Sequence, residues 1–226
     1  MTAIVLQARL DSTRLPGKAM LLLDGKPLIF RVMESLNKID ADLRVLACTE
    51  DSLNSFYSLS KDAGFKIHAG PKDNVLERFG QVIRKYSIDR LIRATGDNPF
   101  VFADAANMIN CEAVSLDADY AGFTDLPYGS GVESVSAPAL LKAAAYATLL
   151  PEREHVCPYL YNHPEMFKIH RPLAPLEWRY PDMRLTVDTQ EDYDRAVKLY
   201  EELKNEPQKN DGSVIIKAYQ SLFGGR

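Results

Sequence analysis

Short apolar runs alternate with segments of helical spacing along the first half of the chain. The runs at 3–6 and 43–47 are bounded by polar residues, which is typical of buried strands. Between them, apolar residues recur at helical spacing over 28–36, directly after Pro27, which suits the first turn of a helix. The same pattern predicts helices at 53–62 and 75–86 and strands at 65–68 and 89–94.

Strands and helices that alternate in this way are joined by right-handed crossovers. Such connections produce a mostly parallel sheet with helices on both faces. We therefore predict an α/β fold, and the length of 226 residues suits one domain that spans the whole chain.

The pattern loosens after Pro99, although elements can still be predicted. We interpret 118–180 as a segment that decorates the sheet beside a functional site, and we expect a terminal helix within 212–223. The other predicted helices are 102–111, 138–148, 152–161 and 191–204, a glycine-rich turn lies at 128–131, and strands are predicted near Tyr120 and at 132–136 and 183–187.

The composition narrows the class of protein. A hydrophobic fraction of 46% and a charged fraction of 26% are those of a soluble globular protein, and the net charge of −4 disfavours nucleic-acid binding through a general basic field. Cys48, Cys111 and Cys157 show no CxxC spacing, so we expect reduced thiols and no zinc site. The chain shows no basic leader and no long apolar run, and we expect a cytoplasmic protein without membrane association.

The loop from Gln7 to Lys18, directly after the first predicted strand, concentrates positive charge. It carries the cations Arg9, Arg14 and Lys18, and Ser12 adds a hydroxyl group. Ligands of open parallel sheets bind beyond the carboxyl ends of the strands, and arginine and lysine side chains suit phosphate oxygens. The loop matches neither the P-loop nor the dinucleotide fingerprint. We predict a different phosphate-binding loop; a solvated basic surface loop is the alternative.

Motifs along nearly the whole chain carry a resemblance to a known family. They are Gln7-Ala-Arg9, Ser12-Thr-Arg14-Leu-Pro-Gly-Lys18, Gly25-Lys-Pro-Leu, Asn74-Val-Leu-Glu-Arg78, Ile92-Arg-Ala-Thr-Gly-Asp-Asn-Pro99, Arg153-Glu-His-Val-Cys-Pro-Tyr159 and Leu185-Thr-Val-Asp-Thr-Gln-Glu-Asp192. In order and spacing they resemble the cytidylyltransferases that make CMP-activated acidic sugars, and most of all the branch of the spore-coat polysaccharide biosynthesis proteins. The resemblance implies a Rossmann-like fold of the nucleotide-diphospho-sugar transferase (GT-A-like) type.

The resemblance also implies a reaction, in which a sugar hydroxyl attacks the α-phosphate of CTP and pyrophosphate leaves. Mg²⁺ would be the cofactor, and Asp97 and Asp188, each after a predicted strand, are the candidate ligands, with a helix cap or a turn as the alternative role. Arg14, Lys18 and Asp97 are the candidate catalytic residues. The partners would be CTP, a sugar acceptor and a second copy of the chain, with the middle segment or the terminal helix as the dimer contact.

The remaining candidates divide between nucleotide and acceptor. By resemblance the nucleotide is bound by Gln7, Arg9, Ser12, Arg14, Lys18, Thr49, Arg78, Arg93 and Thr95, although a structural salt bridge is an alternative for Arg93. Glycines, a carboxylate, a cation and an imidazole are groups suited to sugar recognition. On that basis the acceptor candidates are Tyr128, Glu133, Arg153 and His155, and ordinary structural roles remain open for Glu133 and His155.

One departure from the family pattern leaves two alternatives open. Related sialic-acid-activating enzymes alternate two acids on the last strand of the site, whereas this chain has Thr186 before Asp188. A nucleotide-binding protein without turnover is therefore one alternative. The other is a glycosyltransferase of the same fold that would use Asp117-Ala-Asp119 as its metal-binding motif.

Overall fold

The computed structural model describes residues 1–224, and its central feature is a seven-stranded sheet. The strands are β1 Thr2–Ala8, β2 Leu22–Leu23, β3 Lys26–Pro27, β4 Leu43–Thr49, β5 Lys66–Gly70, β6 Arg90–Thr95, β7 Tyr120–Ala121, β8 Glu133–Ser136 and β9 Ile169–His170. The helices are α1 Leu28–Leu36, α2 Leu53–Asp62, α3 Val75–Tyr86, α4 Ala103–Ser115, α5 Ala137–Tyr146, α6 Leu150–His155, α7 Pro158–Asn162, α8 Gln190–Leu203 and α9 Gly212–Phe223.

The strand order of the large sheet is β5-β4-β1-β6-β8-β7-β9. Strands β5, β4, β1 and β6 are parallel, β8 is antiparallel to both of its neighbours, and β2 and β3 form a separate small ribbon. In the middle of the sheet, residues 3–6 of β1 are completely buried because helices cover both faces. The predicted α/β fold with a mostly parallel sheet is confirmed.

Two apolar cores occupy the two faces of the sheet. The side chains of α3, α5 and α7 pack on one face, and those of α1, α2 and α4 pack on the other. A third core lies beyond the carboxyl edge of the sheet, where α8 and α9 pack with the segment around Trp178. This third core supports the residues that precede α8 and follow Pro99, and both segments reach the same edge of the sheet.

The predicted strand at 183–187 is wrong, because this segment is not part of the sheet. Its backbone bonds go to loops: the Leu185 N–H donates to the Tyr128 carbonyl at 2.8 Å, and the Val187 N–H donates to the Asp97 carbonyl at 2.9 Å. Its apolar side chains are buried, which explains the strand-like pattern in the sequence. The segment is a buried connection that ties two loops together at the edge of the sheet.

The predicted helix at 152–161 is also wrong as one element, because it is divided into α6 and α7. Between them, Val156 adopts a positive φ of 73°. Pro158 opens α7 and has no N–H group with which to continue the preceding helix. The segment therefore forms two short helices that are joined through Val156 and Cys157.

Candidate functional site

A cleft of about 740 Å³ opens at the carboxyl ends of β1 and β6. One wall is the loop that follows β1, and the opposite wall is the segment 122–133, with α6 at one end. Thirteen of the predicted site residues line the cleft: Gln7, Arg9, Ser12, Arg14, Lys18, Arg78, Arg93, Thr95, Asp97, Tyr128, Glu133, His155 and Asp188. The position agrees with the general rule for ligands of open α/β sheets.

The loop after β1 is held in place by its neighbours, while its cations face the cleft. The Leu10 N–H donates to the buried Ser52 hydroxyl at 3.1 Å, which attaches the loop to the end of β4. Gly17 adopts a left-handed φ of 67°, and Lys18 follows it as the first residue of a short 3₁₀ helix. The loop therefore presents Arg9, Arg14 and Lys18 from a fixed backbone.

Lys18 joins the two predicted metal ligands. Its Nζ lies 3.1 Å from Oδ2 of Asp97 and 2.9 Å from Oδ1 of Asp188, and it also donates to the Val187 carbonyl at 2.9 Å. The Lys18 side chain is 16% exposed, so this contact is largely shielded from solvent. Two carboxylates that are far apart in the sequence thus converge on one cationic point.

Asp188 is the most heavily paired carboxylate of the cleft. It is 5% exposed, and Arg14 lies 3.0 Å from the same Oδ1 that Lys18 contacts. The other oxygen, Oδ2, accepts a hydrogen bond from Arg184 at 3.0 Å. Three cations therefore surround one buried carboxylate, and their attraction offsets part of the cost of burying its charge.

Arg78 is buried in the cleft wall with a guanidinium that lacks protein partners. It is 2% exposed, and its Nε and one of its terminal nitrogens have no hydrogen-bond partner among the described residues. Burial lowers the pKa of Arg78, and the nearby charge of Arg9 lowers it further. Buried donors normally have partners, so these nitrogens keep unused hydrogen-bonding capacity in the cleft wall.

Arg93 makes a structural pair at the other end of the cleft. Its guanidinium lies 2.5 Å from the Glu133 carboxylate and donates to the Gln7 side chain at 3.0 Å. The Tyr120 hydroxyl donates to Glu133 at 2.8 Å.

Burial and the adjacent Glu133 charge raise the pKa of Cys157 well above its ordinary value, so this thiol stays protonated.

Two of the predicted site residues are not brought to the cleft. Thr49 hydrogen-bonds the Asp51 carboxylate and the Ser52 hydroxyl, so it supports the loop after β1 from behind. The Arg153 Nε donates to the Ala147 carbonyl at 3.0 Å, because the short helix α6 turns this side chain back onto its own amino-terminal connection. Neither Thr49 nor Arg153 is among the residues that line the cleft, so their binding roles stay predictions that the cleft lining does not support.

The motif Asp117-Ala-Asp119 lies at the opposite edge of the sheet. It precedes β7, which runs parallel to β6 because both are antiparallel to β8. Asp119 accepts hydrogen bonds from the Ser136 hydroxyl and the Lys168 N–H, at 3.0 and 2.9 Å. Its carboxylate is a structural acceptor at the amino-terminal edge, far from the cleft at the carboxyl edge.

Several residues of the site were missed by sequence reasoning. Glu154 lies 3.7 Å from Arg9, and Asp192 binds Arg184 at 2.8 Å. The spacing Thr189-x-x-Asp192 is the sequence signal of a capping box, and both of its hydrogen bonds are present at the start of α8. That signal places a carboxylate at the beginning of the helix but does not reveal its arginine partner.

A basic loop and paired carboxylates at the carboxyl edge of an α/β sheet are typical of nucleotide-binding enzymes. A family model described as cytidylyltransferase matches residues 3–217. The spore coat polysaccharide biosynthesis protein SpsF of Bacillus subtilis (strain 168) is 32% identical in an alignment 220 positions long, which covers 93% of this chain and 91% of that protein. The chain therefore belongs to the cytidylyltransferase family.

Solved structures agree with the fold. A cytidylyltransferase from Leptospira borgpetersenii serovar Hardjo-bovis superposes with a TM-score of 0.88 at 24% identity, over 98% of this chain and 94% of that one. A CMP:2-keto-3-deoxy-manno-octonic acid synthetase complexed with CTP gives a TM-score of 0.69 at 18% identity, over 88% and 98% of the two chains.

Within residues 1–224, no helix combines the length and the apolar character needed to span a bilayer.

Proposed function

We propose that this protein transfers CMP from CTP to a hydroxyl group of an acidic sugar in the cytoplasm, with release of pyrophosphate, for polysaccharide or cell-surface glycan biosynthesis. The observation that carries the proposal is the convergence of Lys18, Asp97 and Asp188 at the end of the basic loop. A triphosphate needs cations for its oxygens, and its metal needs carboxylates. This edge of the sheet supplies both.

The proposed cofactor is Mg²⁺, with Asp97 and Asp188 as its protein ligands. Mg²⁺ is commonly held by one or two carboxylates together with phosphate oxygens and water. The donor set fits, because one oxygen of each carboxylate lies within 3.1 Å of a single point, the Lys18 ammonium. Among residues 1–224, no group of three or more potential metal-binding side chains was found, so phosphate and water would complete the coordination. The bound ion would neutralise the triphosphate and polarise the α-phosphate.

The nucleotide would lie along the loop after β1. Positioning and charge stabilisation suffice for phosphoryl-type transfer, so no covalent enzyme intermediate is needed. Arg14 and Lys18 would stabilise the charge that develops on the α-phosphate and on the leaving pyrophosphate. Arg78 would bind a carbonyl or phosphate oxygen of the nucleotide with its unpartnered nitrogens. The other proposed nucleotide-binding residues of the cleft wall are Gln7, Arg9, Ser12 and Thr95.

The acceptor would lie against Tyr128, Glu133 and His155, which line the cleft. Glu133 can accept hydrogen bonds from sugar hydroxyls in addition to the one from Tyr120. Arg93 is already paired with Glu133, so His155 and the cations of the basic loop are the groups that remain for a sugar carboxylate. Similarity to enzymes of acidic sugars supports this acceptor class.

We also propose a homodimer that uses the segment 118–180. Large apolar side chains of this segment are exposed, most of all Leu150 at 72% and Leu176 at 78%. Packing these side chains against a second copy of the chain would remove apolar surface from water, which is favourable. Light scattering after size-exclusion chromatography should give twice the chain mass; a monomer at micromolar concentration would contradict the dimer.

Pyrophosphate release tests the function directly. The purified protein is assayed with Mg²⁺ and CTP, UTP, ATP or GTP, together with a panel of acidic sugars and their uncharged counterparts. Release with CTP and an acidic sugar supports the proposal. Release with CTP and an uncharged sugar, but not with CTP and an acidic sugar, would support cytidylyl transfer and reject the proposed class of acceptor. CTP binding without release would indicate a protein that lacks turnover, and sugar transfer from a nucleotide-sugar would indicate a glycosyltransferase.

A further inference from the structure

Asp188 has two carboxylate oxygens with different partners. Oδ1 faces the cleft and contacts Arg14 and Lys18, at 3.0 and 2.9 Å. Oδ2 faces Arg184, whose terminal nitrogen donates to it at 3.0 Å. One oxygen therefore contacts the cations that line the cleft, and the other is held by Arg184.

Arg184 is itself held in one orientation. Its Nε donates to Asp192 Oδ1 at 2.8 Å, and its terminal nitrogen donates to Asp192 Oδ2 at 3.1 Å, which is a two-point contact with a carboxylate that is 4% exposed. The Tyr128 ring lies 5.1 Å from the guanidinium carbon. Asp192 also accepts from the Asp188 N–H at 3.1 Å, so it fixes both the backbone of Asp188 and its partner.

We propose that Arg184 is a positioning residue for the metal site: held by Asp192, it fixes Oδ2 of Asp188 and thereby directs Oδ1 toward the cation that Asp188 shares with Asp97. This inference rests on the proposed function, because it concerns the same carboxylates. Partners behind a metal ligand orient it, and their loss costs about 10- to 100-fold in metal affinity in known sites. The role suits this chain in particular, since residues 185–188 contain no acid besides Asp188, which leaves Asp188 and Asp97 as the two proposed protein ligands.

Arg195 provides a matched control. It contacts the same Asp192 Oδ1 at 3.0 Å, and it contacts Glu191 at 2.9 Å, but it makes no contact with Asp188. If these arginines only stabilise the start of α8, substitutions at 184 and 195 should have similar effects on metal binding. If Arg184 orients Asp188, only its substitution should alter metal binding.

The test measures Mn²⁺ binding to the protein–CTP complex without acceptor, by electron paramagnetic resonance of free Mn²⁺, with thermal unfolding as a check on the fold. Arg184→Lys keeps the charge but cannot contact two carboxylates as a planar fork, so we expect the Mn²⁺ Kd to rise about tenfold or more. Arg195→Lys should leave the Kd within about twofold of the unchanged protein.

A second variant separates orientation from charge and remains informative if the lysine variant does not fold. Arg184→Gln removes a positive charge near the metal, which by itself would strengthen Mn²⁺ binding. Weaker binding in this variant would therefore support orientation, whereas unchanged or stronger binding would overturn it. Equal effects of the changes at 184 and 195 would also overturn it.

Asp188→Asn distinguishes a failure of the proposed metal site from a failure of the positioning role of Arg184. If this variant loses Mn²⁺ binding while Arg184→Lys does not, the proposed metal site stands and the positioning role is rejected. If Asp188→Asn leaves Mn²⁺ binding intact, or the unchanged protein binds no Mn²⁺ with CTP, the proposed metal site fails and the positioning role fails with it.

Discussion

Arg93 and Glu133 face each other across the antiparallel strands β6 and β8, with 2.5 Å between guanidinium and carboxylate. The strand register sets this pairing directly, because the two residues are opposite partners in the ladder. Both side chains are largely buried, at 15% and 20% exposure, and Gln7 occupies other nitrogens of the guanidinium. Arg93 is therefore a structural element of the cleft wall more than a free phosphate ligand.

Glu133→Gln should destabilise the protein by about 1.5–3 kcal/mol, because it leaves the shielded Arg93 charge with a neutral partner. Each 1 kcal/mol corresponds to about 2–4 °C in Tm for a protein of this size. Glu77→Gln is the control, since Glu77 forms an exposed pair with Arg84, and pairs of that kind contribute about 1 kcal/mol or less. Similar Tm losses in the two variants would contradict a structural role for the Arg93 pair.

Lys18→Ala should reduce kcat by about 100-fold or more, since it removes a cation directed at the site of phosphoryl transfer. Asp97→Ala should reduce turnover as well, because the metal would lose one of its two protein ligands. Pyrophosphate release gives the rates, and circular dichroism checks that the fold is intact. Lys26→Ala is the matched control, because Lys26 pairs with Glu34 at the surface. Undiminished turnover in either site variant would reject that residue's assignment.

Arg78→Met should increase stability and decrease nucleotide affinity at the same time. The free protein should gain about 1–3 kcal/mol, because the substitution removes buried donors that lack partners. CTP affinity should fall about tenfold or more, equivalent to about 1.4 kcal/mol or more. Thermal unfolding and isothermal titration calorimetry measure the two effects.

Arg84→Met controls for the loss of a positive charge on the same helix, since Arg84 pairs with Glu77 at the surface of α3. It should change neither property appreciably. If Arg78→Met lowered the Tm and left CTP binding intact, Arg78 would be a structural residue and not a nucleotide ligand.

The cleft could be located from the sequence because strand direction determines where loops meet. Once β1 and β6 are recognised as parallel neighbours, the residues that follow them must lie at one edge, and Lys18 and Asp97 are indeed 3.1 Å apart. The interior of β1 is apolar on both faces, which made its position in the sheet easy to recognise.

The parts that could not be predicted depend on contacts between distant segments. Residues 183–187 have the apolar pattern of a strand, but their partners are the loops at Tyr128 and Asp97, and periodicity does not distinguish a buried connection from a strand. Arg153 begins one of the family motifs, and Arg184 directly precedes another. Only the tertiary structure shows that Arg184 binds Asp188 whereas Arg153 turns to the Ala147 carbonyl.

The buried thiol of Cys48 makes the protein sensitive to alkaline pH. Burial raises the pKa of Cys48 from the ordinary thiol value to about 11, although the positive charge of Arg78 opposes the rise. The folded-state pKa is thus higher than the unfolded-state pKa. The contribution of the protonated, buried Cys48 thiol to the free energy of unfolding is fully present below the unfolded pKa of about 8.5. It is lost as the pH rises toward 11.

Comparison with Cys48→Ala isolates this contribution from the other groups that titrate at high pH. The substitution also removes packing in the core, so the variant should be less stable at pH 7 by about 1 kcal/mol or more. Because the variant has no thiol at this position, the stability advantage of the unchanged protein should fall by about 1.4 kcal/mol for each pH unit between about 9 and 11, and an advantage of about 1 kcal/mol should reverse within that range. Urea unfolding at several pH values measures the difference. A stability difference for Cys48→Ala that stays constant over this pH range would show that the Cys48 thiol titrates equally in the folded and unfolded protein.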